Sequence, residues 1–110
     1  MERDTICALA TPPGAGGVGI VRLSGPRANE ALRALCPRLP ATLESHKLYL
    51  TRLHEPHSGA FLDEVLAVLM RGPRSYTGED VAELHGHGGP LNMARLLEAA
   101  QAVGCRVAQP

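Results

Sequence analysis

The stretch from Arg74 to Pro90, RSYTGEDVAELHGHGGP, constrains this chain more than any other. Val81 to His85 alternates as a strand does, with Val81, Glu83 and His85 pointing one way and Ala82 and Leu84 the other. Tyr76-Thr77-Gly78 reads as the turn that feeds it, and Asp80 directly precedes it. At the far end, Gly86 to Gly89 implies a bend, and Pro90 suits the first turn of a following helix. A strand, a glycine turn and a helix start bring backbone N–H donors close to outward-facing acids. So many dissimilar polar groups in one stretch point to a binding site.

The rest of the chain supplies a scaffold for that unit. Thr5 to Ala10 is a short apolar run that reads as a buried strand, and Val18 to Ser24 as a second. Gly25-Pro26 breaks the second strand, and Arg27 to Cys36 follows as a helix with Ala28, Ala31, Leu32 and Leu35 on one face. Pro37 to Ser45 is a loop. Lys47 to His54 predicts a third strand, joined through His57-Ser58-Gly59 and Phe61 in a hairpin. Val65 to Met70 is apolar on both faces, as a central strand is. Leu91 to Val103 predicts a second helix with the stripe Met93, Leu96, Leu97, Ala100 and Val103, closed by Gly104. Arg106 to Ala108 begins a last strand. The order predicts an α+β domain, a mixed sheet with two main helices packed on it. One domain, residues 1–110, accounts for the length.

Composition excludes several functions. Eleven basic side chains balance eleven acidic ones, so the domain lacks the charge to hold a polyanion by counterion release. One Phe, two Tyr and no Trp offer no platform for stacking bases. Cys7, Cys36 and Cys105 are far apart and form no CxxC, which fits buried thiols in a reducing, cytoplasmic setting. The N-terminus has no signal-peptide pattern, and no apolar run is long enough for a membrane span. Gly14 to Gly19 spells G-x-G-x-x-G, but it opens a strand rather than a helix, so it predicts a glycine-rich turn and no nucleotide site.

Two charged residues in strands stand out. Arg22 shares a face with Ile20, where an arginine must be paired or reach water, for example from a sheet edge. Glu83 lies mid-strand between Ala82 and Leu84, where a carboxylate either bridges to a neighbouring strand or receives a ligand. Glu79 and Asp80 precede a strand and suit a turn. His85 and His87 share a strand face, but no third ligand follows at a recognisable spacing, so no metal site is expected. Gly88-Gly89-Pro90 presents a helix N-terminus, to which a carboxylate or a partner subunit is suited. No Ser–His–Asp pattern, no P-loop and no HExxH is present, so no catalytic residue is assigned.

SYTGED followed by ELHGHGGP, together with Asp4-Thr5-Ile6, Thr11-Pro12-Pro13-Gly14 and Gly16 to Pro26, resembles the N-terminal domain of the tRNA-modification GTPases of the MnmE (TrmE) family. The resemblance covers nearly the whole chain, but only the first quarter or so of a full-length member. It implies a fold like the folate-binding domains of aminomethyltransferases, and a homodimer formed through this domain. It further implies a tetrahydrofolate derivative, 5-formyl or 5,10-methylene, as source of a one-carbon unit. Arg22 and Glu83 match the family's folate contacts, with Glu83 orienting the pterin. Tyr76, Thr77, Glu79, His85, Gly88 and Gly89 would line the pocket. A further folate contact, a lysine, is expected beyond Pro110.

The whole protein would be a GTP hydrolase, with GTP, Mg and K bound in a domain outside these residues. Alone, these residues are expected to be inactive as a GTPase. With the flavoprotein MnmG and tRNA as partners, it would install a carboxymethylaminomethyl-type group at C5 of the wobble uridine. The sequence departs from the family at Ala15, where arginine is frequent, and at Gly86, where many members carry cysteine. Two other readings compete: a purely structural dimerisation module, and a small His-based metal-binding domain.

Overall fold

The computed structural model describes residues 4–11, 17–73 and 78–108. Eight elements follow one another: β1 (Ile6–Leu9), β2 (Val18–Ser24), α1 (Ala28–Leu35), β3 (Leu48–His54), β4 (Phe61–Met70), β5 (Val81–His87), α2 (Pro90–Ala102) and β6 (Arg106–Val107). They build one mixed six-stranded sheet in the order β3-β4-β5-β2-β1-β6. All neighbours pair antiparallel except β1 and β6, which run parallel. This is the α+β architecture that the element order predicts.

The alternation along each strand sets the two faces. Val21 and Leu23 of β2, Ala82 and Leu84 of β5, and Val65, Ala67 and Leu69 of β4 all enter one apolar core. Both helices close that core, α1 through Ala28, Ala31, Leu32 and Leu35 and α2 through Met93, Leu96, Ala99 and Ala100. The α2 stripe is therefore shifted from expectation: Ala99 is buried, while Leu97 and Val103 pack at its margin. The Thr5 Oγ1 hydroxyl accepts the Arg27 N–H (2.9 Å) just ahead of α1, tying the helix start to the sheet. Gly104 has φ +103°, the left-handed geometry that ends α2 and turns the chain into β6.

Two expectations need correction. The glycine-rich end of β5 does not bend at Gly86, because the strand runs on to His87 and pairs Gly19 with Gly86 and Val18 with His87. These two glycines face each other where α2 comes closest. A Cβ on Gly19 would run into the Met93 sulfur, and one on Gly86 would lie 2.5 Å from Asp63 Oδ2. β2, moreover, is an interior strand between β5 and β1, so Arg22 is not a sheet-edge arginine.

The opposite face of the sheet carries neither α1 nor α2. Register aligns Leu48, Val68, Glu83, Arg22 and Ala8 in one row across five strands, and Leu50, Leu66, His85 and Ile20 in the next. Val68, Met70 and Val81 are buried on this face, whereas Leu48, Leu50 and Leu66 are exposed.

Candidate functional site: a charged row on the helix-free face

Glu83 lies in the middle of β5, with Arg22 directly opposite on β2. The guanidinium donates through Nε (2.8 Å) and Nη2 (2.7 Å) to the same carboxylate oxygen, Oε2. The other oxygen, Oε1, accepts from His85 Nε2 at 2.8 Å. A carboxylate only accepts, so Nε2 carries the proton and the tautomer of His85 is set. The Glu83 side chain is 8% exposed and that of Arg22 35%, so the acid is sunk in the sheet while the fork reaches the surface. Burial raises the Glu83 carboxyl, but the His85 and Arg22 hydrogen bonds and charges outweigh it and hold it below the usual carboxylate range. The acid is thus ionised at neutral pH, and it remains an acceptor with lone-pair capacity on Oε1.

Sequence reasoning named Arg22, Glu83 and His85 separately, and register brings all three together. The remaining candidates are dispersed. Glu79 precedes β5 at one end, and Gly88 and Gly89 follow it at the other, about 20 Å away along a strand of this length. The Gly88 N–H donates to the Gly17 carbonyl (3.1 Å), and Gly89 is the residue before the first turn of α2. Asp80 accepts the Gly72 N–H (2.9 Å), a turn-forming role. Tyr76 and Thr77 lie outside the described residues, as does the first half of the glycine-rich run from Gly14 to Gly19. Among the described residues, no three His, Cys, Asp or Glu side chains are grouped so as to hold a metal ion. None of the described helices is long and apolar enough to cross a membrane.

A second cluster escaped the sequence reading. Asp63, 6% exposed at its side chain, projects from β4 beneath the helices. It accepts the His87 backbone N–H (2.9 Å), the His87 Nδ1–H (2.6 Å) and the Asn92 Nδ2–H (2.9 Å). Asn92 also donates to the His87 carbonyl (2.9 Å), so strand β5, the turn and helix α2 are clasped at one point. Burial raises the Asp63 carboxyl, and the donors from His87 and Asn92 outweigh it and leave it lowered. The signal was present in the sequence: adjacent acids in a strand face opposite ways, so one of Asp63 and Glu64 had to point inward.

A cleft of about 190 Å³ opens at this end of the helix-free face, lined by Val18, Leu50, Glu64, Leu66, His85 and His87 among others.

The fold and the charged row define an α+β domain with a polar site set into its helix-free face. Its sequence matches the family model described as the N-terminus of the GTP-binding protein TrmE, over residues 5–110. Relatives named tRNA modification GTPase MnmE agree with that match. The Roseiflexus sp. (strain RS-1) protein is 50% identical over 97% of this chain and 23% of its own length. That of Alkalilimnicola ehrlichii is 49% identical over 100% of this chain and 24% of its own. The chain belongs to the TrmE N-terminal family, and it spans about a quarter of the length of the curated relatives it matches.

Proposed function

We propose that residues 1–110 form the tetrahydrofolate-binding, homodimerising N-terminal domain of a cytoplasmic tRNA-modification GTPase. In the whole protein, GTP hydrolysis with Mg and K would take place in a further domain. Together with MnmG it would act at C5 of the wobble uridine of tRNA. The observation that carries the reading is a sunken, ionised carboxylate, Glu83, beside a guanidinium and an imidazole on a sheet face that neither helix covers.

The donor set suits a folate. A pterin edge presents an amino group and a ring N–H side by side, and a carboxylate accepts both. Arg22 offers a planar fork of donors for a carbonyl or carboxylate oxygen. Ile20, Leu66 and Leu50, in the adjoining row, present an apolar surface beside the charges. Because Arg22 and His85 already occupy Glu83, a ligand must share or displace them, and Arg22 is the more exposed of the two. When bound, the folate supplies the one-carbon unit, while these side chains bind and orient it.

Isothermal calorimetry with 5-formyltetrahydrofolate tests the reading. Heat is expected for the wild type and none for Glu83→Ala, with circular dichroism verifying that the variant folds. A folded Glu83→Ala that binds as tightly as wild type removes the pterin assignment.

A purely structural dimerisation module is the second reading. It is favoured by the mutual pairing of Arg22, Glu83 and His85 and by the exposed Leu48 and Leu50 on the same face. Absence of folate heat from a protein that sediments as a dimer selects it.

A further inference from the structure

We infer that His87, mounted on Asp63 and Asn92, is the subsite for the glutamate carboxylates of a folate whose ring end lies at Glu83. This rests on the folate reading above and assigns the other end of the same ligand.

Position comes first. Glu83, His85 and His87 alternate along β5, and four residues of strand separate the first from the last by about 13 Å. A folate is ordered along its length as a flat ring rich in N–H donors, an aryl ring and flexible carboxylates. The helix-free face carries an acid at Glu83 and, in the next row, an apolar surface of Ile20, Leu66 and Leu50, and His87 follows at the end of β5, where its ring turns to Asp63. The cleft of about 190 Å³ is lined by His85, His87, Leu50 and Leu66 among others.

The mount on His87 is the second observation. Its ring is 74% exposed, yet it is held by a carboxylate that is 6% exposed. Burying a charge is costly, and an ordinary surface histidine needs no such support. With Nδ1–H committed to Asp63, Nε2 is the atom left to meet a ligand, in a fixed direction. In the protonated ring, Nε2–H makes a charge-assisted hydrogen bond to a carboxylate. Glu64 lines the same cleft, and Arg52 stands opposite Glu64 on β3.

Calorimetry on the full chain with two ligands separates the ends: 5-formyltetrahydrofolate, which has the tail, and 6-methyltetrahydropterin, which does not. His87→Asn keeps an amide donor for Asp63 but has nothing at the Nε2 position. It is expected to weaken the tailed ligand about tenfold and to leave the tail-less one within about twofold. His87→Gln, whose amide reaches the Nε2 position, is expected to restore part of the loss. Asp63→Asn should lose affinity for the tailed ligand alone. Equal weakening of both ligands by His87→Asn, or of neither, overturns the subsite while leaving Glu83 in place. If wild type binds neither ligand, the folate reading falls and the subsite with it.

Discussion

Arg22 and Glu83, 61 positions apart in the chain, stand directly opposite one another on β2 and β5, and the guanidinium closes on one carboxylate oxygen from two nitrogens. The pair is unequal, since the acid is sunk in the sheet and the base is a third exposed. Removing the base therefore leaves a buried charge with His85 as its remaining partner among the described residues, whereas removing both leaves an apolar row.

The first prediction follows from that inequality. Arg22→Ala is expected to cost about 1–3 kcal/mol of stability, because an uncompensated carboxylate remains in the sheet. Arg22→Met combined with Glu83→Leu should recover most of that loss. Urea denaturation of the three proteins decides it, and a double variant no more stable than Arg22→Ala contradicts the account.

Acid sensitivity is the second prediction. At Glu83 and Asp63 burial raises the carboxyl, but the surrounding donors leave both groups lowered. A group lowered on folding contributes stability that is complete above its unfolded pKa, about 4 for a carboxyl. That contribution is lost as pH falls from there through the folded value. Stability is thus expected to drop below about pH 4, and Glu83→Gln and Asp63→Asn should start lower at neutral pH and lose less on acidification. Urea midpoints measured across the acid range read the slope directly, and parallel curves for wild type and variants would count against it.

Gly86 carries the third. A methyl group there would lie 2.5 Å from Asp63 Oδ2 and 3.1 Å from Leu96 Cδ1. Asp63 is pinned by three donors and cannot simply turn aside. Gly86→Ala is expected to cost about 1–3 kcal/mol and to release the His87 Nδ1–H from its hydrogen bond. Denaturation together with imidazole nitrogen NMR measures both effects, and unchanged His87 resonances would show that Asp63 adapts.

The fourth concerns the thiols. Burial pushes the Cys36 thiol up to about 12, and Cys7 and Cys105 are buried as well. Ellman's reagent at mildly alkaline pH is expected to label Cys36 only at the rate of unfolding. Rapid labelling of Cys36 in the native protein would contradict its burial.

Self-association supplies the fifth. Leu50 is 68% exposed on the helix-free face, so Leu50→Lys should change folding stability by less than about 0.5 kcal/mol. On the proposed homodimer reading it is also expected to shift the monomer–dimer balance toward monomer in sedimentation velocity. An unchanged balance would place the interface elsewhere.

Much of the scaffold is legible in the chain because its signals are local. The alternation of Val18 to Ser24, the apolar face of Ala28, Ala31, Leu32 and Leu35, and the hairpin around Gly59 each depend on residues a few positions apart. Expectation failed where a neighbouring element decided the matter. Gly86 reads as a bend, yet pairing with Gly19 keeps it in the strand, and the close approach of Asp63 and Met93 explains why glycines stand there. Asp63 precedes the strand that the sequence predicts from Val65, and only the longer β4, running from Phe61, and the cover of α2 make it a buried acid.

The sequence by itself determined the elements, their faces and the family, since period-two and helical patterns and a motif-rich stretch are readable without partners. Only the tertiary structure decided which charges meet. Register between strands distant in sequence set Arg22 against Glu83, and the packing of α2 set Asn92 and Asp63 behind His87. The physical reason is that a strand states which way its side chains point but not which strand lies beside it, and a buried ion pair is a property of neighbours.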